Sequence, residues 1–163
     1  MAAKTVALAM TGASGAPYGL RLLECLLQAG VRVPLMLSPP GQVVIAMETD
    51  LKLPGAPRET ERYLTEHYGA APGQLQVYGK DQWTAPLASG SGAPDAMVVC
   101  PCTSGTLAAI ATGNSDNLLE RAADVVIKEQ RKLILVHREM PVSAIHLEHM
   151  LKLARLGVVI MPA

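Results

Sequence analysis

The sequence predicts an α/β fold in which a doubly wound, mostly parallel sheet carries helices on both faces. Three observations predict it: short apolar runs alternate with helical stretches along the whole chain, a glycine-rich turn joins the first run to the first helix, and no internal repeat or low-complexity tract breaks the alternation. At 163 residues, with 50% hydrophobic, the chain can fill one core between a sheet and its helices, so one domain spanning residues 1–163 is expected.

Thr5 to Met10 (TVALAM) is a nearly continuous apolar run that ends at Gly12, the pattern of a strand buried on both faces. Pro17 then opens a helix with Leu20, Leu23, Leu26 and Leu27 on one face and Gly30 just past its end. Val31 to Leu37 (VRVPLML) is strand-like again, but Pro34 lacks a ladder donor and should push it to an edge or into a bulge. Gln42 to Thr49 reads as a short helix, Pro54, Gly55 and Pro57 punctuate a loop, and Arg58 to Tyr68 forms a polar surface helix. Gly69 to Gly92 is the least readable segment. Ala96 to Cys100 (AMVVC) is a third strand, and Thr103 with Ser104 supplies N-cap chemistry for a helix through Leu107, Ile110 and Ala111. Leu118 to Gln130 is helical, Leu133 to Val136 (LILV) is a fourth strand, Ser143 to Leu156 is a helix ended by Gly157, and Val158 to Met161 is a last strand.

Composition narrows the function classes. Fourteen Lys plus Arg against fourteen Asp plus Glu leave no broad electrostatic footprint for nucleic acid or an anionic membrane. No apolar run approaches the roughly 18 residues that span a bilayer. Cys25, Cys100 and Cys102 are an odd number and no secretory leader precedes Lys4, so a disulfide framework is not expected and a cytoplasmic location is. Cys100 and Cys102 straddle Pro101, matching neither a redox nor a zinc pair, and read as small buried hydrophobes. Phe is absent, so aliphatic side chains must do nearly all the packing.

Ligands of open parallel sheets bind beyond the carboxyl ends of the strands. After the first strand comes Thr11 to Gly19 (TGASGAPYG), whose small residues let backbone N–H groups approach a ligand at a helix N-terminus; a tight strand-to-helix connection explains it equally well. After the third strand, Pro101 to Thr106 (PCTSGT) offers hydroxyls and free N–H groups, with simple capping as the alternative. After the fourth stands His137-Arg138-Glu139-Met140-Pro141, an ion pair in which Arg could hold phosphate and Glu could move protons. Arg121, Asp124, Lys128 and Arg131 recur at spacings of three and four, giving the preceding helix one basic face. Glu48 alone is an ordinary helix-end acid. His146 and His149 stand three apart with no third ligand, so no metal site is expected.

Taken together, Gly12 to Leu23 (GASGAPYGLRLL), Glu48-Thr49-Asp50, Ala88 to Ser91 (ASGS), Pro101 to Leu107 (PCTSGTL), Asp116 to Val125 (DNLLERAADV) with Lys128-Glu129, and Arg138 to Pro141 followed by Ile145 to Glu148 form six ordered blocks. In that order they resemble the flavin prenyltransferases of the UbiX type, a flavoprotein family related to the cysteine decarboxylases, over nearly the whole chain. The resemblance implies a flavodoxin-like or Rossmann-like fold that binds FMN. It implies a transferase that joins a dimethylallyl group from dimethylallyl phosphate to N5 and then C6 of reduced FMN, making prenylated FMN for UbiD-type decarboxylases, with neither metal nor nucleic acid. By motif, Gly12, Ala13, Ser14, Ser38, Thr103, Ser104, Gly105, Thr106 and Arg138 would contact FMN, with Ser14 near the reacting edge. Arg121, Lys128 and Glu139 would face the prenyl phosphate, Glu139 as acid or base, while Glu48 shapes the pocket. The family places its site at subunit contacts, so a homo-oligomer, a dodecamer, is expected.

The sequence departs from the family at three places. Members continue beyond Met161-Pro162-Ala163 into a segment with a Tyr and a further basic residue for the prenyl phosphate, which have no counterpart here, so FMN binding is expected to survive better than transfer. Pro39 and Pro40 replace the usual Lys and Ala after Ser38, which should alter that loop, and Gly92 replaces a common aromatic after Ser91. Two rival readings are a non-catalytic FMN-binding shell and a related flavin-dependent decarboxylase. The latter calls for a catalytic His after the first glycine turn, whereas the earliest His is His67.

Overall fold

The apolar runs form strands because each must bury side chains on both faces, and the amphipathic stretches cover those faces. In the computed structural model, which describes residues 2–163, the strands are β1 (Val6–Met10), β2 (Val33–Leu37), β3 (Leu75–Tyr78), β4 (Ala96–Cys102), β5 (Lys132–His137) and β6 (Val159–Pro162). The helices are α1 (Ala16–Gln28), α2 (Pro39–Glu48), α3 (Pro57–Tyr68), α4 (Ser104–Thr112), α5 (Leu118–Lys128) and α6 (Ala144–Arg155). All six strands are parallel, in the order β3-β2-β1-β4-β5-β6. Of the two doubly wound arrangements expected, this is the Rossmann-type order.

Period-two alternation divides the core. In β1 and β4, Ala7, Ala9, Met97 and Val99 join Leu107, Leu118, Ala122 and Leu153 from α4, α5 and α6. Leu8, Met10, Val98 and Cys100 face the other way, against Leu20, Leu23, Ile45 and Leu64 from α1, α2 and α3. Burying a side chain such as Leu23 or Leu64 contributes about 1.5–3 kcal/mol, so aliphatic packing suffices without Phe. Gly19 lets α1 lie directly on the sheet, since a Cβ there would stand 2.3 Å from the Cys100 carbonyl oxygen.

Two expectations are corrected. β2 is neither an edge nor bulged: it lies between β1 and β3 in unbroken register. The Pro34 nitrogen falls on the β1 side, where Arg32 N–H already donates to the Lys4 carbonyl, so a single bond near the start of the ladder is all that Pro34 removes. The least readable segment contains β3, a four-residue edge strand with Leu75 and Val77 buried and Gln76 exposed. Among the described residues no helix is long and apolar enough to cross a membrane.

Candidate active site

The strand order reverses between β1 and β4, and the crevice beyond their carboxyl ends is where such a sheet holds a ligand. A cleft of about 490 Å³ opens there, lined by Gly12, Ala13 and Ser14 after β1, Thr103 and Ser104 at the start of α4, and Arg138, Glu139 and Met140 after β5.

The turns around it are tied to each other. Buried Thr11 donates its hydroxyl to the Pro101 carbonyl at 2.7 Å, and its Oγ1 accepts from Thr103 N–H at 2.9 Å, locking the β1 turn to the end of β4. A Cβ on Gly12 would meet Pro40 Cβ at 2.4 Å, so only glycine lets the β1 turn seat against the first turn of α2. Thr103 caps α4, accepting from Thr106 N–H at 3.0 Å and donating to Thr106 Oγ1 at 2.9 Å. The Ser104 and Gly105 amides in that first turn have no intrahelical acceptor, and none elsewhere among the described residues.

The N-terminus of α1 differs. Glu48, at the end of α2, accepts from the Gly15 and Ala16 amides, each at 2.9 Å. The Ser14 hydroxyl above all, then the Gly15 amide, hold its carboxyl below the usual carboxylate range. The protein's own carboxylate therefore occupies the anion position of α1, and the open amides are those of α4.

The expected Arg138–Glu139 ion pair does not form. The Arg138 guanidinium lies over the Tyr18 ring, 5.8 Å from its centroid, whereas Glu139 Oε2 accepts from the Ser104 hydroxyl at 3.0 Å. Adjacent residues leaving a strand end point apart, which sequence adjacency conceals. Ser104 Oγ also stands 2.9 Å from Nε2 of buried His137. Burial first, and then the neighbouring His146, press the His137 ring towards its neutral form, against the pull of Glu139. Cys100 and Cys102 are buried, and desolvation pushes their thiols up to about 11 and about 12.

The expected residues do not all converge. Gly12, Ala13, Ser14, Thr103, Ser104, Arg138 and Glu139 share the cleft, with Gly105 next in the same helical turn and Glu48 behind the β1 turn. Ser38 and Thr106 line a separate recess of about 70 Å³ with Tyr78 and Lys80. Ser38 caps α2, accepting from Gly41 N–H at 3.0 Å, and Pro39 and Pro40 open that helix, so the altered loop is an ordinary proline-initiated first turn. Arg121 and Lys128 lie outside the cleft. Arg121 donates to the Ala88 carbonyl at 3.1 Å and pairs with Asp124 at 2.8 Å, and Lys128 pairs with Glu129 at 2.5 Å beside Gly90. With Arg131 3.8 Å from Asp95, the expected basic face is a set of neutralised pairs. Gly92 has its own reason: a Cβ there would lie 2.2 Å from the Pro86 carbonyl oxygen, so no side chain fits. Thr11 and His137 stand inside the candidate runs of the sequence, which gives neither a role of its own; the signal is a polar residue at an otherwise buried strand-to-turn junction.

Comparison with known proteins agrees with this geometry. The Flavoprotein family matches residues 1–163. The chain is 59% identical over 158 residues to the flavin prenyltransferase UbiX of Pseudomonas aeruginosa, covering 97% of this chain and 76% of that one. Its fold superimposes on the crystal structure of AnUbiX (PadA1) in complex with FMN and dimethylallyl pyrophosphate with a TM-score of 0.85 at 38% identity, covering 99% of this chain and 78% of that one. A dodecameric FMN-dependent Ubix-like decarboxylase from Escherichia coli O157:H7 aligns with a TM-score of 0.83 at 39% identity, covering 97% and 79%. A cleft at the switch point, and an identity of this level over almost every residue, lead to one conclusion: the chain belongs to the Flavoprotein family, in its UbiX-type flavin prenyltransferase branch.

Proposed function

We propose that the chain is a flavin prenyltransferase that moves a dimethylallyl group from dimethylallyl phosphate to N5 and C6 of reduced FMN. The observation that carries the reading is the switch-point cleft, where the β1 turn, the open first turn of α4, and the Arg138-Glu139 pair of side chains meet. The residues fit a flavin: the cleft volume is within the range of cofactor pockets, its β1 wall is small side chains, and the unmet Ser104 and Gly105 amides ask for an acceptor. When bound in reduced form, FMN supplies the two nucleophilic ring atoms.

The chain's own groups would do the rest. Gly12, Ala13 and Ser14 would give the ring a flat approach, with Ser14 serving its reacting edge. The Ser104 and Gly105 amides and Arg138 would donate to the cofactor's acceptors, Thr103 would line the cleft beside them, and Ser38 and Thr106 would be reached through the adjoining recess. Glu139 holds and moves a proton, and Glu48 fixes the turn that carries Ser14. Arg121 and Lys128, remote from the cleft in their own chain, would serve the prenyl phosphate from a neighbouring copy, offsetting charge on the leaving group. A homo-oligomer, a dodecamer, provides that copy. Its support is the dodecameric relative and the exposed Ile145, Leu147 and Leu151 on α6. The product would serve a UbiD-type decarboxylase, and the unpaired cysteines suit the cytoplasm.

The test is anaerobic incubation of the purified chain with reduced FMN and dimethylallyl phosphate, followed by mass analysis of the released flavin. A gain of one prenyl unit is expected. Tightly bound flavin of unchanged mass would refute transfer and leave a binding shell.

A further inference from the structure

We propose that His137 is a positioning residue for Glu139, acting through the Ser104 hydroxyl; this rests on the transferase reading of the cleft. Two neighbouring elements create the arrangement. His137 closes β5 and Ser104 opens α4, so the ends of adjacent strands bring the two together, and Glu139, two residues beyond His137, turns its carboxylate back to the same hydroxyl. His137 Nε2 is 2.9 Å from Ser104 Oγ, and Ser104 Oγ is 3.0 Å from Glu139 Oε2.

The polarity follows from proton counting. The hydroxyl carries one proton, and an ionised carboxylate can only accept, so Ser104 donates to Glu139. Its remaining capacity towards His137 is as acceptor, which requires a proton on Nε2. The chain is therefore His137 Nε2–H to Ser104 Oγ–H to Glu139 Oε2, and it fixes the tautomer of the ring. The ring is held: it is 3% exposed and stacks edge-on against His146, with centroids 5.9 Å apart. His146 is itself anchored, its Nδ1 accepting from Ser143 N–H at 3.0 Å in the cap of α6.

A serine hydroxyl at the mouth of a cleft can otherwise turn to water. The donor from His137 removes that freedom, so the single proton of Ser104 faces Glu139 and one carboxylate oxygen is fixed before substrate arrives. The other oxygen is left for the reacting groups. Ser104 thus has two duties, a backbone amide open to the cofactor and a side chain that passes the orientation of a buried ring to the proton-moving acid.

The experiment has a kinetic arm and a spectroscopic arm. In the full-length chain, His137→Leu should lower the rate constant for flavin prenylation about tenfold, as expected for losing one orienting hydrogen bond, with KM for dimethylallyl phosphate unchanged. His137→Gln, whose amide N–H can reach the Ser104 oxygen, should recover most of the rate. Adding His137→Leu to Ser104→Ala should cause no further loss, because the first residue acts only through the second. Multiplicative losses in the double variant, or a Gln variant as slow as the Leu variant, would overturn the proposal. If His137→Leu does not fold, His137→Asn, too short to reach the hydroxyl, replaces it in the same cycle. Solid-state NMR of 15N-histidine-labelled protein supplies the second arm. A neutral His137 ring protonated on Nε2, with that resonance displaced in Ser104→Ala, is expected; a ring protonated on Nδ1 alone, or an Nε2 signal indifferent to Ser104, would overturn it. Should the wild-type chain form no prenylated flavin, the transferase reading fails and the NMR arm alone decides the arrangement.

Discussion

Replacing Glu48 by Ala should destabilise the fold by removing a cap that one helix supplies to another. The carboxylate takes the Gly15 and Ala16 amides, each at 2.9 Å, yet it stands largely in solvent, so water can replace part of what is lost. An ordinary N-cap and a carboxylate at a helix N-terminus together contribute about 1–2 kcal/mol at such exposure. For a chain of this length that is roughly 2–8 °C in melting temperature. Glu48→Gln keeps an acceptor oxygen and loses the charge, so it should cost about half as much. Urea denaturation and thermal melts of the three proteins give the comparison. The sign with pH is fixed by the lowered carboxyl: its contribution is complete above the unfolded carboxyl value and disappears as pH falls through the folded one. The gap between wild type and Glu48→Ala should therefore be full at neutral pH and close in acid. A Glu48→Ala protein as stable as wild type at neutral pH, or a gap that persists unchanged in acid, refutes the cap.

Gly19→Ala should cost about 1–3 kcal/mol through overpacking, outweighing the helix-propensity gain of about 1 kcal/mol. The Met10 side chain could yield to the new methyl, but the Cys100 carbonyl, 2.3 Å from it, could not; an unchanged urea midpoint would mean that α1 does not seat on β4 in solution. His137 gives a second pH signature. Burial, and next His146, lower its folded value from 6.5 against the pull of Glu139, so the unfolded chain binds the extra proton first and stability should decline as pH falls below about 6.5. His137→Gln should flatten that part of the profile, and an identical slope in the variant would assign it to other groups.

The sheet was legible because its strands announce themselves. TVALAM, AMVVC and LILV are apolar on both faces, and a buried parallel strand has no other signature. β3 was not legible, since four residues with one face in solvent carry too little period to separate from a loop. Pro34 is a weak edge signal here because its missing donor falls near the start of the ladder, a position that the sequence does not reveal. The cleft wall of Gly12 to Ser14, Thr103 with Ser104, and Arg138 with Glu139 lies in the loops that strand ends alone pick out. What could not be read was direction: that Arg138 turns to Tyr18 and Glu139 to Ser104, or that Glu48 crosses to α1, depends on contacts between elements far apart in sequence. Arg121 and Lys128 come from motif alone, and their contacts with Ala88, Asp124 and Glu129 lie outside the cleft.

The β1 turn is pinned from three sides, by Thr11 to the end of β4, by Gly12 pressed onto Pro40, and by Glu48 across the start of α1. Such a floor has little conformational entropy left to lose when a ligand settles on it. Association should then proceed without an ordering step, with a heat-capacity change that reflects the surface covered by the ligand and no contribution from a folding loop. Selectivity at this wall must come from shape already present, so a bulkier isoalloxazine analogue would be rejected outright, because the wall cannot yield to admit it.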